Sequence, residues 1–153
     1  MSWLGEATGS PLAGEMSGHI FFAHRWYGFD DGLYAGARLL EYLSRQTDCN
    51  ATLHNLPDSL CTPELQIKMQ EGEAHNLIAE LQKTARFEGA SEIIKLDGLR
   101  VEYPDGFGLM RASNTTPAIV LRFEAEDTAS MVRIQNDFRT ALLARNPNLT
   151  LPF

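Results

Sequence analysis

Apolar and polar residues alternate along much of the second half of the chain. Between residues 99 and 103, apolar side chains occupy every second position with charged residues between them, and this period of two is typical of a strand buried on one face. The same alternation occurs at residues 65–69, and residues 119–124 place Ile119, Leu121 and Phe123 on one face. Asp-Gly pairs at residues 97–98 and 105–106 separate apolar runs, and such pairs favour tight hairpin turns. The pattern therefore predicts a series of antiparallel strands.

Elsewhere apolar residues recur at intervals of three and four, which is the spacing of an amphipathic helix. Such stripes lie at residues 33–43, 74–85 and 131–142 and predict three helices. The residues suited to cap the last of these helices are Asp127, Thr128 and Ser130. The sequence does not choose among them.

Two carboxylates, Asp30 and Asp31, stand just before the first helical stripe. Adjacent carboxylates suit a metal ion. At the start of a helix, however, they more often accept hydrogen bonds from its free N–H groups and meet its positive dipole end. We therefore expect Asp30 and Asp31 to cap the helix.

The order of these elements predicts the fold class and the domain organisation. Residues 54–153 supply a strand, a helix, several antiparallel strands and a helix, which indicates an α+β domain whose antiparallel sheet carries two helices on one face. Residues 46–61 are rich in turn formers and are predicted to be a linker. Residues 1–53 contain one apolar strand, at residues 20–22, and one helix, while residues 1–13 show no period. Because one strand and one helix cannot bury two faces, we expect residues 1–53 to be the remnant of a larger α/β domain.

Composition narrows the class of protein. The chain has 153 residues, 44% of them apolar, a formal net charge of −7 and a pI near 5.0, which argues against a partner such as nucleic acid or a membrane surface. No apolar run approaches the roughly 20 residues of a membrane span, and no signal peptide is evident. We expect a cytoplasmic protein. Cys49 and Cys61 lack the spacing of a zinc site or a disulfide framework and are expected to be reduced thiols with a structural role.

Residues 111–117 carry the donor set that a phosphate dianion needs. One guanidinium, from Arg111, stands within six residues of several hydroxyls, an amide and the N–H groups of a turn. Arginine offers a planar fork to two phosphate oxygens, while hydroxyls and turn amides bind the others. On these residues alone, a phosphate-binding loop and a polar hairpin loop with an incidental arginine are equally consistent with the sequence.

A second polar loop, residues 14–19, precedes the strand at residues 20–22. Glu15 stands between small residues and is able to accept hydrogen bonds from two vicinal hydroxyls, with Ser17 and His19 supplying further contacts. This chemistry suits a sugar ring. Judged from the residues alone, an ordinary turn before a strand is the commoner explanation.

Both loops resemble those of one enzyme family. Arg-Ala-Ser-Asn-Thr-Thr-Pro at residues 111–117, followed by Val-Leu-Arg-Phe-Glu at residues 120–124, is similar to the phosphate-binding loop in the last domain of the phosphohexomutases, the phosphomannomutase/phosphoglucomutase family. Gly-Glu-Met-Ser-Gly-His at residues 14–19 is similar to the family's sugar-binding loop. The resemblance covers residues 12–153, with both motifs in the family's order, and looks closest to the bacterial bifunctional branch.

The resemblance implies a fold and a set of site residues. It implies the end of the family's third domain at residues 1–53 and its fourth domain, with a fold like the TATA-box-binding protein, at residues 54–153. The implied phosphate ligands are Arg111, Ser113, Asn114 and Thr115. The implied sugar ligands are Glu15, Ser17 and His19, and His19 is also a candidate helper in proton transfer.

The resemblance also indicates what to expect outside this sequence. The family's serine loop, of the type Thr-Ala-Ser-His-Asn-Pro, and its metal loop, of the type Asp-Gly-Asp-Gly-Asp-Arg, have no counterpart here. We therefore assign no nucleophile and no ligand for magnesium (Mg2+) to this chain. Ser113 has no general base suggested beside it, so it is not interpreted as a nucleophile.

The sequence thus predicts the C-terminal part of a phosphohexomutase. It would bind the non-reacting phosphate and the sugar hydroxyls of glucose or mannose 1- or 6-phosphate, with a hexose 1,6-bisphosphate as intermediate and the missing N-terminal domains as partners. Alone it is expected to be inactive. The alternatives are a stand-alone, non-catalytic domain that binds phosphosugars or anions, and an interaction module with a degenerate site. The intact loop at residues 111–115 disfavours the second alternative.

Overall fold

A computed structural model of the chain describes residues 9–15, 18–56 and 58–153. The chain divides after residue 57 into two compact units. In the first unit, the strands and helices are β1 (Leu12–Gly14), β2 (Ile20–Phe22), α1 (Gly32–Leu43) and α2 (Cys49–His54). Strands β1 and β2 form an antiparallel hairpin in which Gly14 pairs with Ile20.

Two segments without a recognisable sequence period contain regular structure. Residues 1–13 show no period, yet Leu12 and Ala13 belong to β1, where pairing with β2 satisfies their backbone groups. The predicted linker, residues 46–61, contains the division between the two units and also α2. Asp48 starts this helix, and its side chain accepts a hydrogen bond from the Ala51 N–H at 2.9 Å.

The capping prediction for α1 holds for one of its two carboxylates. The Asp31 side chain accepts a hydrogen bond from the Tyr34 N–H at 3.0 Å, as expected for an N-cap. For Asp30 the prediction was wrong, because its carboxylate instead binds the imidazole of His19. The backbone of Asp30 is held by an isolated antiparallel bridge to Phe21 rather than by the helix.

The apolar stripe of α1 is not covered within the first unit. None of the side chains described between residues 9 and 56 is buried. Leu33 is 90% exposed and Leu40 is 68% exposed, although both lie on the stripe that predicted the helix. The local sequence therefore produces an amphipathic helix, whose apolar side has no core to join in this unit.

The second unit contains a complete sheet and two helices. Its elements are β3 (Leu60–Cys61), β4 (Leu65–Lys68), α3 (Glu73–Thr84), β5 (Glu92–Ile94), β6 (Leu99–Tyr103), β7 (Gly106–Ala112), β8 (Ala118–Ala125) and α4 (Thr128–Leu143). The strand order is β3-β8-β7-β6-β5, and β4 also pairs with β8. Every pairing is antiparallel.

Both helices of this unit pack on one face of the sheet, so the predicted α+β class is confirmed. The buried positions of α3 are Ala74, Leu77, Ile78 and Leu81, and those of α4 are Ser130, Ile134, Phe138 and Leu142. The apolar ones among them join a single core with the alternating strand residues Leu99, Val101, Met110, Leu121 and Phe123. Asp127 is the residue that caps α4. The other sheet face carries no helix of this unit.

Glycine permits the close approach of α4 to the sheet. A Cβ atom on Gly108 would lie 2.4 Å from Cε2 of Phe138, and real carbon atoms do not approach so closely. The ring of Phe138 instead fills the space above Gly108 and meets Phe123 edge-on, with 5.2 Å between ring centroids. Gly108 thus determines how deeply α4 packs.

Two further features bear on the class of protein. Within residues 9–15, 18–56 and 58–153, no helix combines the length and the apolar character that a membrane crossing requires. Cys49 and Cys61 are free thiols, and both are exposed rather than packed in a core.

Candidate functional site

Arg111 belongs to strand β7, although the sequence placed it in the loop after that strand. It pairs with Val120 of β8. Its neighbour Met110 is fully buried beneath the helices, and consecutive strand residues point to opposite faces. Arg111 therefore projects from the sheet face that carries no helix of this unit.

The guanidinium of Arg111 is available to an anion. Its side chain is half-buried, and no carboxylate among the described residues forms an ion pair with it. Arg122 pairs with Leu109, which lies two residues before Arg111 on β7, so Arg122 points to the same face as Arg111. Arg122 also forms no ion pair within the described part of the chain. Arg100, on the next strand, is bound to Glu102 at 2.5 Å. Arg111 and Arg122 are therefore two cations on this face that form no ion pair with the described residues.

Ser113 organises the turn between β7 and β8. Its N–H donates to the carbonyl of Ala118 at 2.9 Å. Its hydroxyl accepts from the N–H groups of Thr115, at 3.3 Å, and Thr116, at 3.2 Å. The hydroxyl also lies 3.0 Å from Oγ1 of Thr116. Three hydroxyls, those of Ser113, Thr115 and Thr116, thus lie together at one turn. Thr116 was not among the phosphate ligands predicted from the sequence.

Asn114 lies apart from this group of hydroxyls. It lines a pocket of about 200 Å³ together with Ala112, the Asp97–Gly98 turn and the side chains of α3 that include His75 and Gln82. Ala112 is a buried residue, two positions along β7 from Met110 and so on the same face. The structure therefore brings Ser113 and Thr115 together and places Asn114 against the helix side of the sheet.

Gly98 supports the backbone on which Arg111 sits. It has a φ of +91°, and a Cβ at this position would lie 2.6 Å from Cβ of Arg111 and 2.4 Å from the carbonyl oxygen of Met110. Only glycine meets both conditions without strain. The Asp-Gly signal located this turn in the sequence, but nothing local indicated that the turn touches Arg111.

The second predicted loop joins β1 and β2. The N–H of Glu15 donates to the carbonyl of His19 at 2.9 Å, and the N–H of Gly18 donates to the carbonyl of Glu15 at 3.0 Å. Gly18 has a φ of +86°, which glycine adopts readily. Glu15 and His19 therefore stand at the two ends of one tight turn. Ser17 lies outside the described residues.

His19 is exposed and has a partner that the sequence did not connect to it. Its Nδ1 forms a hydrogen bond with Oδ2 of Asp30, eleven residues further along the chain. This hydrogen bond and the charge of Asp30 raise the pKa of His19 above its ordinary value, and the charge of Glu15 raises it further. The imidazole therefore keeps its proton to a higher pH than a free histidine.

The described residues offer no set of ligands for magnesium. No three His, Cys, Asp or Glu side chains in that part of the chain come together as a metal site. The adjacent carboxylates that had suggested a metal ion are already engaged: Asp30 binds His19, while Asp31 caps α1 and accepts a hydrogen bond from Nε1 of Trp26 at 3.1 Å.

Comparisons with known proteins match both units. Residues 64–141 match the family model described as phosphoglucomutase/phosphomannomutase, C-terminal domain. Residues 4–60 match the model described as phosphoglucomutase/phosphomannomutase, alpha/beta/alpha domain III. The two models occur here in the order in which the resemblance of the loops had placed them.

Individual relatives agree with these models. A phosphoglucomutase of Neisseria meningitidis serogroup A is 63% identical over 146 residues, covering 95% of this chain and 32% of the relative. A phosphomannomutase/phosphoglucomutase of Pseudomonas aeruginosa is 50% identical over 147 residues, with the same two shares. A solved structure of a phosphoglucomutase/phosphomannomutase family protein from Burkholderia thailandensis has a TM-score of 0.86 at 58% identity, covering 99% of this chain and 32% of that one. The chain thus spans about a third of the length of these relatives.

Proposed function

Because this chain belongs to the phosphoglucomutase/phosphomannomutase family, we propose that it supplies the ligand-binding C-terminal part of a cytoplasmic phosphohexomutase. It binds the non-reacting phosphate and the sugar hydroxyls of a glucose or mannose phosphate while the other parts of the enzyme exchange phosphate between the 1- and 6-positions. In this assignment residues 1–53 are the end of the third domain, and residues 54–153 are the fourth domain.

The observation that carries the proposal is Arg111, an arginine without an ion pair in the described structure, beside the turn that Ser113 organises. A phosphate dianion placed there meets the guanidinium fork and the hydroxyls of Ser113, Thr115 and Thr116. Charge-assisted hydrogen bonds of this kind are about twice as strong as neutral ones. Asn114, which lines the pocket on the helix side of the sheet, would have to turn toward the other face to join them.

The loop at residues 14–19 is proposed to bind the sugar. Glu15 accepts hydrogen bonds from ring hydroxyls, and His19 donates to a sugar oxygen or assists a proton transfer there, with Ser17 as a further ligand. Binding energy from the remote phosphate would then hold the reacting end of the substrate in position. The nucleophile and the magnesium ligands belong, on this proposal, to the part of the family protein that this chain does not cover.

A second candidate function is a stand-alone domain that binds phosphosugars or anions without catalysis. The observation in its favour is the self-contained core of the second unit, which includes both strands that flank the Arg111 loop. The two functions share the phosphate site. They differ in whether this chain can complete an active enzyme.

Phosphate binding is tested by NMR titration of the 153-residue chain with inorganic phosphate and glucose 1-phosphate. A net binding free energy of about 4 kcal/mol corresponds to a dissociation constant on the order of 1 mM. We expect Arg111→Ala to abolish measurable binding, Glu15→Ala to change it little, and added salt to weaken it. Arg86→Ala removes the same charge from an exposed position after α3 and is the matched control. Unchanged phosphate binding by Arg111→Ala would overturn the site.

The enzymatic role is tested with a chimera in which this chain replaces the matching third of the Neisseria meningitidis phosphoglucomutase. At 63% identity over 146 residues, the replacement should preserve the contacts between domains. We expect the chimera to be active, Arg111→Ala to lower its kcat/KM about 10- to 150-fold, and the chain alone to show no turnover. A folded but inactive chimera would favour the stand-alone binding function, whereas turnover by the chain alone would require a nucleophile within it.

A further inference from the structure

We propose that Asp30 is a positioning residue for His19: its carboxylate fixes the imidazole ring through Nδ1 and leaves Nε2 to meet the oxygen of a bound sugar phosphate. The inference rests on the proposed role of residues 14–19 in sugar binding, but it concerns a residue outside that loop. Asp30 lies just before α1, eleven residues from His19.

The backbone holds Asp30 where its carboxylate reaches the ring. Asp30 forms an isolated antiparallel bridge with Phe21, the middle residue of β2. His19 immediately precedes the same strand. The next residue, Asp31, is tied to α1 by the Tyr34 N–H at 3.0 Å and to Nε1 of Trp26 at 3.1 Å. Both ends of the His19–Asp30 contact are therefore anchored by backbone structure, which limits the orientations open to the ring.

The contact selects the chemistry of the other ring nitrogen. A carboxylate accepts hydrogen bonds, so the Nδ1–H of His19 donates to Asp30. In the imidazolium, Nε2 carries a proton as well and donates to a ligand oxygen; in the neutral ring held this way, Nε2 is an acceptor. Among the described residues, the charged groups that face His19 are Asp30, from the segment before α1, and Glu15, from the hairpin. Both raise the pKa of His19, so together they favour the donor form.

The arrangement gives the sugar loop both kinds of hydrogen-bonding group. Glu15 accepts from a hydroxyl, while the protonated His19 donates to a hydroxyl or ester oxygen close by. If Asp30 lost its charge, the neutral ring would be free to move its proton to Nε2, and the orientation imposed through Nδ1 would weaken. Asp30 thus acts through His19 rather than by touching the ligand.

The first test is an NMR titration of the His19 ring nitrogens in the 153-residue chain. With Asp30→Asn, we expect the pKa of His19 to fall toward 6.5, its ordinary value, and the neutral ring to lose its preference for a proton on Nδ1. Asp31→Asn removes the same charge one residue away and should leave the titration of His19 unchanged. Asp30→Glu restores the carboxylate and should restore part of the shift. If His19 titrates alike in the wild type and in folded Asp30→Asn, the proposal is wrong.

The second test is the pH dependence of kcat/KM for glucose 1-phosphate in the chimera. Asp30→Asn should move the limb that reports His19 to lower pH, whereas Asp31→Asn should not. A uniform loss of activity at every pH would show a merely structural role and overturn the proposal. If the wild-type chimera is inactive, the enzymatic assignment fails, and the NMR titration alone decides whether Asp30 positions the ring.

Discussion

Two small residues determine the geometry around Arg111, and neither acts through charge. The hydroxyl of Ser113 accepts hydrogen bonds from two N–H groups of the turn, so it stabilises the loop before any ligand binds. Gly98, in the turn before β6, lies against the backbone of Met110 and Arg111. At the residue scale, phosphate binding therefore depends on groups that hold the arginine and the turn amides in place.

We predict that Ser113→Ala weakens phosphate binding about fivefold and speeds hydrogen exchange at Thr115 and Thr116. The variant removes the acceptor that both amides share, and an intramolecular hydrogen bond contributes about 1 kcal/mol. Ser113→Thr keeps the hydroxyl and should retain most of the binding. NMR titration and amide exchange provide the measurements. Equal loss in both variants would mean that the side chain's size, not its hydroxyl, matters.

Gly98→Ala should destabilise the second unit by about 2–4 kcal/mol and weaken phosphate binding as well. Alanine would have to adopt a φ of +91°, which is costly for a residue with a Cβ. Its Cβ would also lie 2.4 Å from the carbonyl oxygen of Met110, so a steric clash adds to that cost. Gly89 has a φ of +74° with nothing within 4 Å of an added Cβ, and Gly89→Ala should cost only about 1–2 kcal/mol. Chemical denaturation of both variants measures the difference, and equal destabilisation would refute the close contact.

At the scale of elements, α4 is tied at its N-terminus to the turn between β6 and β7. Asp127 caps the helix by accepting from the Ser130 N–H at 2.8 Å. Asp105, in the turn, pairs with Arg133 at 2.5 Å. The hydrogen bonds from Ser130 lower the pKa of both carboxyls, and Arg133 lowers that of Asp105 further. These contacts stabilise the ionised carboxylates in the folded state.

We predict that acid destabilises the second unit through these two carboxylates. Because their folded pKa values lie below the ordinary 3.8, the stabilisation is complete above that pH and is lost as the pH falls through the folded pKa values. Asp127→Asn keeps a hydrogen-bond acceptor at the cap but removes the titrating charge. Between pH 5 and pH 2, a range of about three pH units around the ordinary aspartate pKa, the melting temperature of this variant should therefore fall less steeply than that of the wild type. Asp58→Asn, at an exposed position, is the control. An unaltered slope in Asp127→Asn would contradict the assignment.

At the scale of the whole molecule, the two units differ in how much apolar surface they bury. The second has a contiguous core that both of its helices join. The first has no buried side chain among its described residues, and the apolar stripe of α1 is exposed. Exposed apolar surface of this kind favours association or local opening. The family model that matches this region describes an alpha/beta/alpha domain.

We therefore expect hydrogen exchange in a dilute monomer to be fast at residues 14–45 and slow in the sheet of the second unit. Limited proteolysis should cut first between Gln46 and Cys61 and leave a resistant piece that starts near Thr62. Mass spectrometry of the exchanged and cleaved chain measures both. Strong protection of residues 14–45 in the monomer would show that the first unit is stable by itself.

Much of the fold was predictable because its signals are local. The alternation at residues 99–103, the Asp-Gly turns and the helical stripes each depend on neighbours a few residues apart, and the strands and helices of the second unit follow them. The two loop motifs are also contiguous in sequence. They therefore identified the family before any tertiary contact was known.

Other features were decided by contacts between distant parts of the chain. Strand β1 is three residues long and exists because β2 pairs with it, so its own sequence carried no recognisable period. Arg111 was assigned to a loop because the length of β7 depends on its partner β8, and the same register places its side chain on the helix-free face. The Asp30–His19 hydrogen bond joins residues that a turn and a strand bring together. The sequence by itself determined which groups are present and which local elements they favour, whereas strand register and chain reversal decided which groups meet.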